Sequence, residues 1–145
     1  MYKGYNTSMI TDDFRYSSER LFEKYCEKNE NVKYFYKNGD SGQQYLSIVY
    51  KTNLSRQRLF YPDYIVQLKD ETIWLIEAKG GEKRGQSKNI DVQIENKFEA
   101  LKKFAKKHNY NFGFVRDRNE ELFLNNTEYM DDMNDDSWVL LEEVF

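Results

Sequence analysis

Asp63, Glu77 and Lys79 are the residues of this chain whose types and spacing are best suited to chemistry. All three belong to one stretch, YPDYIVQLKDETIWLIEAKGG, from Tyr61 to Gly81. Two runs with strand character, Tyr64 to Leu68 and Ile73 to Ala78, flank a polar turn at Lys69 to Thr72, the pattern of a β-hairpin. Side chains alternate along a strand, so Leu75, Glu77 and Lys79 are expected on one face and Trp74, Ile76 and Ala78 on the other. A carboxylate and an amine then point the same way at the end of an apolar strand, where charge is costly unless paired or metal-bound. With the two arms antiparallel, Asp63, just after Pro62, arrives beside Glu77 and Lys79. Two carboxylates and a lysine in one place form a donor set for a hard divalent cation with a positive charge at its side. An ordinary ion pair between Glu77 and Lys79 is the structural alternative, and it leaves Asp63, Gly80 and Gly81 without a reason for their positions.

These residues resemble the PD-(D/E)xK nuclease superfamily, with Asp63 after Pro62 and the E-x-K pair Glu77 and Lys79. The hairpin is similar to that of the endonuclease domain at the C-terminus of type III restriction subunits. That likeness covers roughly Ser17 to Val115, and Tyr61 and Gly80 add to the pattern. The resemblance implies a restriction-endonuclease-like α/β (α+β) core, a central mixed sheet of roughly four or five strands flanked by helices. It implies an endonuclease that hydrolyses DNA phosphodiester bonds with Mg²⁺, for which Mn²⁺ can substitute. Its metal ligands would be Asp63, Glu77 and the backbone carbonyl of Ala78. A first-helix glutamate would join them: Glu19, which with Phe22 matches an E-x-x-F pattern, with Glu23 the second choice. A lysine near the start of the following helix corresponds to Lys97. Lys79 would position or deprotonate the attacking water, or offset charge on the phosphorane, and sequence leaves both roles open.

Two other functions fit the same residues: a non-catalytic DNA-binding or regulatory protein that keeps the nuclease fold, and an RNA-directed nuclease with the same metal chemistry. The look-alikes are joined to a helicase-like ATPase, whereas this chain has no G-x-x-x-x-G-K-[ST] loop. A helicase-like or specificity-conferring subunit is therefore an expected partner beside DNA. A homodimer formed through the apolar residues near the C-terminus would account for double-strand cutting.

The 145 residues suit a single nuclease-like domain, with a lead-in at 1–13, a core at 17–124 and an acidic C-terminal extension at 125–145. The net charge of −3 is unevenly spread. From Asp117 onward ten acidic residues face Arg118 alone, a net of −9, while 21 basic and 15 acidic residues leave the preceding part at +6. The part that carries the candidate site is thus basic. Cys26 is the single cysteine, which rules out an internal disulfide and leaves no Cys/His set for zinc. With no run of 18 apolar residues and no apolar leader, neither a membrane span nor a signal peptide is expected, and the cytoplasm is the default location.

The remaining elements follow in order. Ser17 or Ser18 is expected to cap a helix over Glu19 to Lys28. Strands are expected at Asn31 to Tyr36 and Tyr45 to Tyr50, with a polar connection over Lys51 to Gln57. After Lys79, the segment GGEKRGQSKNI brings Lys83, Arg84 and Lys88 near the site in a glycine-rich loop fit to hold phosphates; a plain solvated loop is the alternative. Asn89 or Asp91 is expected to cap a helix to about Lys107, with an apolar stripe of Ile94, Phe98, Leu101, Phe104 and Ala105. Its lysines suit a DNA backbone or simply solubility, and Gln93 and Lys97 lie nearest the site. A strand at Phe112 to Val115 is expected to rejoin the sheet by a βαβ crossover. A turn at Arg116 to Asn119, a final strand at Leu122 to Leu124, an irregular segment at 125–137 and a segment from Trp138 to Phe145 packing back complete the chain.

Overall fold

The computed structural model describes residues 17–38, 46–79, 82–83, 86–87 and 93–145. In chain order they form α1 (Ser17–Lys28), β1 (Val32–Lys37), β2 (Ile48–Lys51), β3 (Gln57–Phe60), β4 (Tyr64–Leu68), β5 (Ile73–Ala78), β6 (Glu82–Lys83), β7 (Gln86–Ser87), α2 (Ile94–His108), β8 (Asn111–Arg118), β9 (Glu121–Asn125) and β10 (Val139–Leu140), with a 3₁₀ turn at Leu141–Glu143. The lead-in at 1–13, the loop glycines and the Asn89 and Asp91 caps lie outside the described residues.

A mixed six-stranded sheet of order β1-β4-β5-β8-β9-β10 forms the centre, with a helix on each face. This is the restriction-endonuclease-like α/β core, with the two-residue β10 adding the outermost strand. β5 runs parallel to β8, as a connection through α2 requires, and the other neighbours are antiparallel. The strict alternation in β5 sorts its side chains between two cores. Trp74, Ile76 and Ala78 pack with Phe22 and Cys26 of α1, while Leu75 packs with Ile94, Phe98, Leu101 and Ala105 of α2. Central position, with helices on both sides, explains why β5 is apolar almost throughout.

Three expectations are corrected. The strand ending near Tyr50 does not join the central sheet; β2 and β3 form their own antiparallel ribbon. The turn between them carries no Gly or Pro and is held by Thr52, whose Oγ1 accepts from the amides of Leu54 and Arg56 at 3.2 Å each. Second, Arg116 to Asn119 is not a turn. β8 continues to Arg118, and the reversal is at Asn119 and Glu120, both with positive φ (52° and 66°), as a two-residue hairpin turn demands. Arg116 looked like a turn residue because it is charged, yet it is fully buried, donates to the Asp131 carbonyl at 2.7 Å and lies 5.4 Å from the Trp138 ring centroid.

Third, Leu122 to Leu124 is not the last strand, since β10 pairs with β9. Trp138, Leu141 and Phe145 pack back into the chain's own two cores, while Val139 between them is 39% exposed. Among the described residues, no helix is long and apolar enough to cross a membrane.

Gly113 of β8 illustrates how tightly the sheet packs beside the site. A Cβ placed there would meet the Leu124 side chain at 2.6 Å, and Leu124 is fully buried with nowhere to retreat. Gly113→Ala is expected to destabilise by about 1–3 kcal/mol, lowering the denaturant midpoint while leaving the slope unchanged.

Candidate active site

The hairpin of β4 and β5 sets the geometry. Tyr64 pairs with Ile76, so one further step along the antiparallel register places Asp63 opposite Glu77. The Oδ2 of Asp63 accepts a hydrogen bond from the Ala78 amide at 2.9 Å. A residue's N–H and C=O point to the same edge of a strand, so the Ala78 carbonyl opens toward the Asp63 side as well. The next amide, that of Lys79, turns the other way and donates to Val115 of β8 at 2.8 Å. Lys79 Nζ lies 3.2 Å from Glu77 Oε2, and both side chains are buried.

Residues outside the hairpin fix its position. Asn38, buried just after β1, donates through Nδ2 to the carbonyls of Pro62 and Leu46, each at 2.9 Å, and its amide donates to the Asp63 carbonyl at 2.7 Å. The Ser18 hydroxyl donates to the Lys79 carbonyl, tying the start of α1 to the end of β5. Ser18 therefore lies inside the helix and does not cap it, which corrects that expectation.

Burial pushes the Asp63 carboxyl well above the usual carboxylate range, and the charges of Glu77 and Glu19 push it further; the Ala78 amide and Lys37 act against this. Glu77 is also raised, by burial, against the pull of Lys79, a contact with Asp63, and Lys97. The two carboxyls are close enough to act on each other, Glu77 raising Asp63 through its charge and Asp63 lowering Glu77 through their contact. Glu19 Oε1 takes the Lys37 ammonium at 2.5 Å, and Glu23 accepts the Tyr64 hydroxyl at 2.5 Å. Burial and the nearby Glu23 charge push the Tyr64 hydroxyl far up, so it stays protonated and donates.

The structure thus brings Asp63, Glu77 and Lys79 together, with Glu19, paired to Lys37, near enough to act on Asp63 through its charge, and Glu23, one helical turn on, held by Tyr64. Lys97 reaches the same region: it bears electrostatically on Glu77 and lies 5.8 Å from the ring centroids of both Tyr50 and Phe60. Gln93 stands at the N-terminal boundary of α2. Lys83 falls in β6, whose two-residue ladder with β7 replaces part of the expected loop, while Arg84 and Lys88 lie outside the described residues. Sequence reasoning missed Lys37, Asn38 and Tyr64. For Tyr64 a signal existed, because it stands in the hairpin itself next to Asp63; for Lys37, which reaches the site only through the pairing of β1 with β4, there was none. Asn38 had none.

Residues 40–117, just over half of the chain, match the family model of the TnsA-like endonuclease N-terminal domain. The chain belongs to this family. No curated protein matches it. As a TnsA-like endonuclease domain it is part of the broader restriction-endonuclease-like, PD-(D/E)xK superfamily, and the family supports a nuclease-type enzymatic function. The narrower likeness to type III restriction subunits is replaced by this assignment.

Among the described residues of the TnsA-like domain, no group of three or more His, Cys, Asp or Glu side chains forms a ready-made metal cage. Mg²⁺ does not need one, since it keeps several waters and commonly takes one or two carboxylates. The residues fit such an ion. Glu77 Oε1 is buried with no hydrogen-bond partner among the described residues, and the Asp63 carboxylate beside it raises the cost of leaving both charged.

Proposed function

We propose that this TnsA-like domain is a Mg²⁺-dependent endonuclease that hydrolyses DNA phosphodiester bonds at the centre formed by Asp63, Glu77 and Lys79. The observation that supports the reading most strongly is the convergence of the half-buried Asp63 and the buried Glu77, both with raised pKa, on a lysine 3.2 Å from Glu77. Asp63, Glu77 and the Ala78 carbonyl would hold the cation, for which Mn²⁺ can substitute. When bound, it supplies Lewis-acid polarisation of the scissile phosphate and a more acidic water.

The chain's own groups do the rest. Lys79 donates to the attacking water and to a phosphate oxygen, orienting the first and offsetting charge that grows on the second. Glu19, held by Lys37, completes the acidic side and orients water. Lys97 and Gln93 of α2, with Lys83, Arg84 and Lys88 of the segment after β5, take the flanking phosphates. A helicase-like or specificity-conferring protein, acting in the cytoplasm, would choose the site of cutting, and a homodimer would allow both strands to be cut.

The test is nicking of supercoiled plasmid. Cleavage is expected with Mg²⁺ and is expected to vanish with EDTA or in Asp63→Ala. Equal cutting by Asp63→Ala, or binding without cutting under all metal conditions, would remove the enzyme reading; preference for single-stranded RNA over duplex DNA would redirect it to RNA.

A further inference from the structure

The β2–β3 ribbon has features that the centre described above does not use. From residue 41 to residue 62 the chain contains no Asp or Glu, although 25 of its 145 residues are acidic. Within that stretch stand Lys51, Arg56 and Arg58, all exposed, and none of the ion pairs among the described residues involves them. Apolar side chains are exposed among them. Val49 and Leu59 face each other across the ribbon and are 54% and 55% exposed, while Leu54, at the turn, is 78% exposed. Surface leucines occur singly on most proteins, but an exposed leucine at the tip of a two-stranded ribbon flanked by cations is a specific arrangement.

The inner face of the ribbon is anchored. Ile48, Tyr50 and Phe60 pack into the α2 core, and Asn96 of α2 donates to the Asn53 side chain at 2.9 Å, holding the turn. Beside this contact a groove of about 580 Å³ is lined by ribbon and helix together, with Lys51, Lys103 and Lys107 on its walls against the single acid Glu99. Lys97, between Tyr50 and Phe60 and felt by Glu77, links the ribbon's base to the carboxylates. Arg58 is the register partner of Tyr50, so it stands directly across the ribbon from the residue that shelters Lys97.

We infer that the β2–β3 ribbon is a duplex-DNA contact element of this domain, with Lys51, Arg56 and Arg58 on phosphates and Leu54 entering a groove against base edges. The inference rests on the nuclease reading and gives it a substrate-holding surface. Its dimensions suit the task, since strands of four residues extend about 13 Å and the major groove, about 12 Å wide, admits a two-stranded ribbon. Arginine and lysine contacts to phosphate release counterions, which makes the inference measurable through salt dependence. Leu54 carries no charge, so its contribution is separable from theirs.

The experiment uses the full chain carrying Asp63→Asn, so that bound DNA is not cut, and a fluorescent duplex whose anisotropy is followed over a range of salt. Replacing Lys51, Arg56 and Arg58 together by Gln is expected to weaken binding by about tenfold or more and to make the salt slope shallower by about three, one for each phosphate contact. Leu54→Ser is expected to weaken binding with the slope unchanged. Unaltered affinity and slope in the triple variant, while the parent binds duplex, would overturn the ribbon's role and leave the nuclease reading standing. Absence of duplex binding by the parent overturns both. Because all four side chains are exposed, thermal unfolding of the variants is expected to match that of the parent.

Discussion

Lys79→Ala is expected to leave a folded, metal-binding protein that no longer cuts DNA, with turnover lower by at least about 10²–10³-fold. The fold survives because the neighbour that loses its partner can adapt. Removing one member of a buried ion pair is ordinarily severe, since it leaves an uncompensated charge. Here burial already holds the Glu77 carboxyl above its usual range, and without Lys79 that carboxyl moves further up and takes a proton, or is neutralised by a bound cation. The lost function is specific: no other described residue brings an ammonium group to 3.2 Å from Glu77 Oε2. Single-turnover cleavage, with thermal unfolding as the check on folding, measures the effect. Cleavage at the parental rate would remove Lys79 from the mechanism and leave its ion pair a purely structural one.

Asp63→Asn is expected to stabilise the metal-free protein at neutral pH while eliminating both cleavage and stabilisation by Mg²⁺. The sign follows from the raised carboxyls of Asp63 and Glu77. An acid with a higher pKa in the folded state is bound more tightly to its proton there than in the unfolded chain. Its contribution is complete below the unfolded value of about 4 and is lost as pH rises through the folded value. The metal-free parent should therefore lose stability as pH climbs above about 4, and Mg²⁺ should restore more of it at higher pH. Asparagine removes one of the mutually repelling charges and keeps an oxygen to accept from the Ala78 amide. Melting temperatures with and without Mg²⁺, taken across pH for parent and variant, check both halves. A variant less stable than the parent in EDTA would mean that Asp63 is a structural residue.

The hairpin and its site were legible because their signals are local. Alternation in β5 placed Glu77 and Lys79 together and apart from Ile76, and the short polar turn fixed the antiparallel arms that bring Asp63 in. The stripe of α2 and its end near residue 108 followed from the 3.6-residue period, and Asn109, with φ at 60°, closes the helix as a left-handed cap. What escaped reading depends on contacts between distant segments. Arg116 was mistaken for a turn residue because nothing near it in sequence reveals that Trp138 and the Asp131 carbonyl cover it. Thr52 closes the β2–β3 turn through its side chain, without the Gly or Pro that marks most turns. Ser18 had a residue type suited to a cap, but its partner is the Lys79 carbonyl, 61 positions away. Lys37 and Asn38 hold Glu19 and the Pro62–Asp63 entry only because β1 lies beside β4 in the sheet.

The claim on which the rest depends is that Asp63 and Glu77 share a divalent cation. Diffraction from crystals soaked in Mn²⁺, recorded to use its anomalous scattering, tests this directly. The account predicts an anomalous peak between the two carboxylates, about 2–2.3 Å from an oxygen of each and within reach of the Ala78 carbonyl. Saturating Mn²⁺ with no peak there, or with Lys79 and Glu77 still paired around an empty space while the ion binds elsewhere, would contradict it.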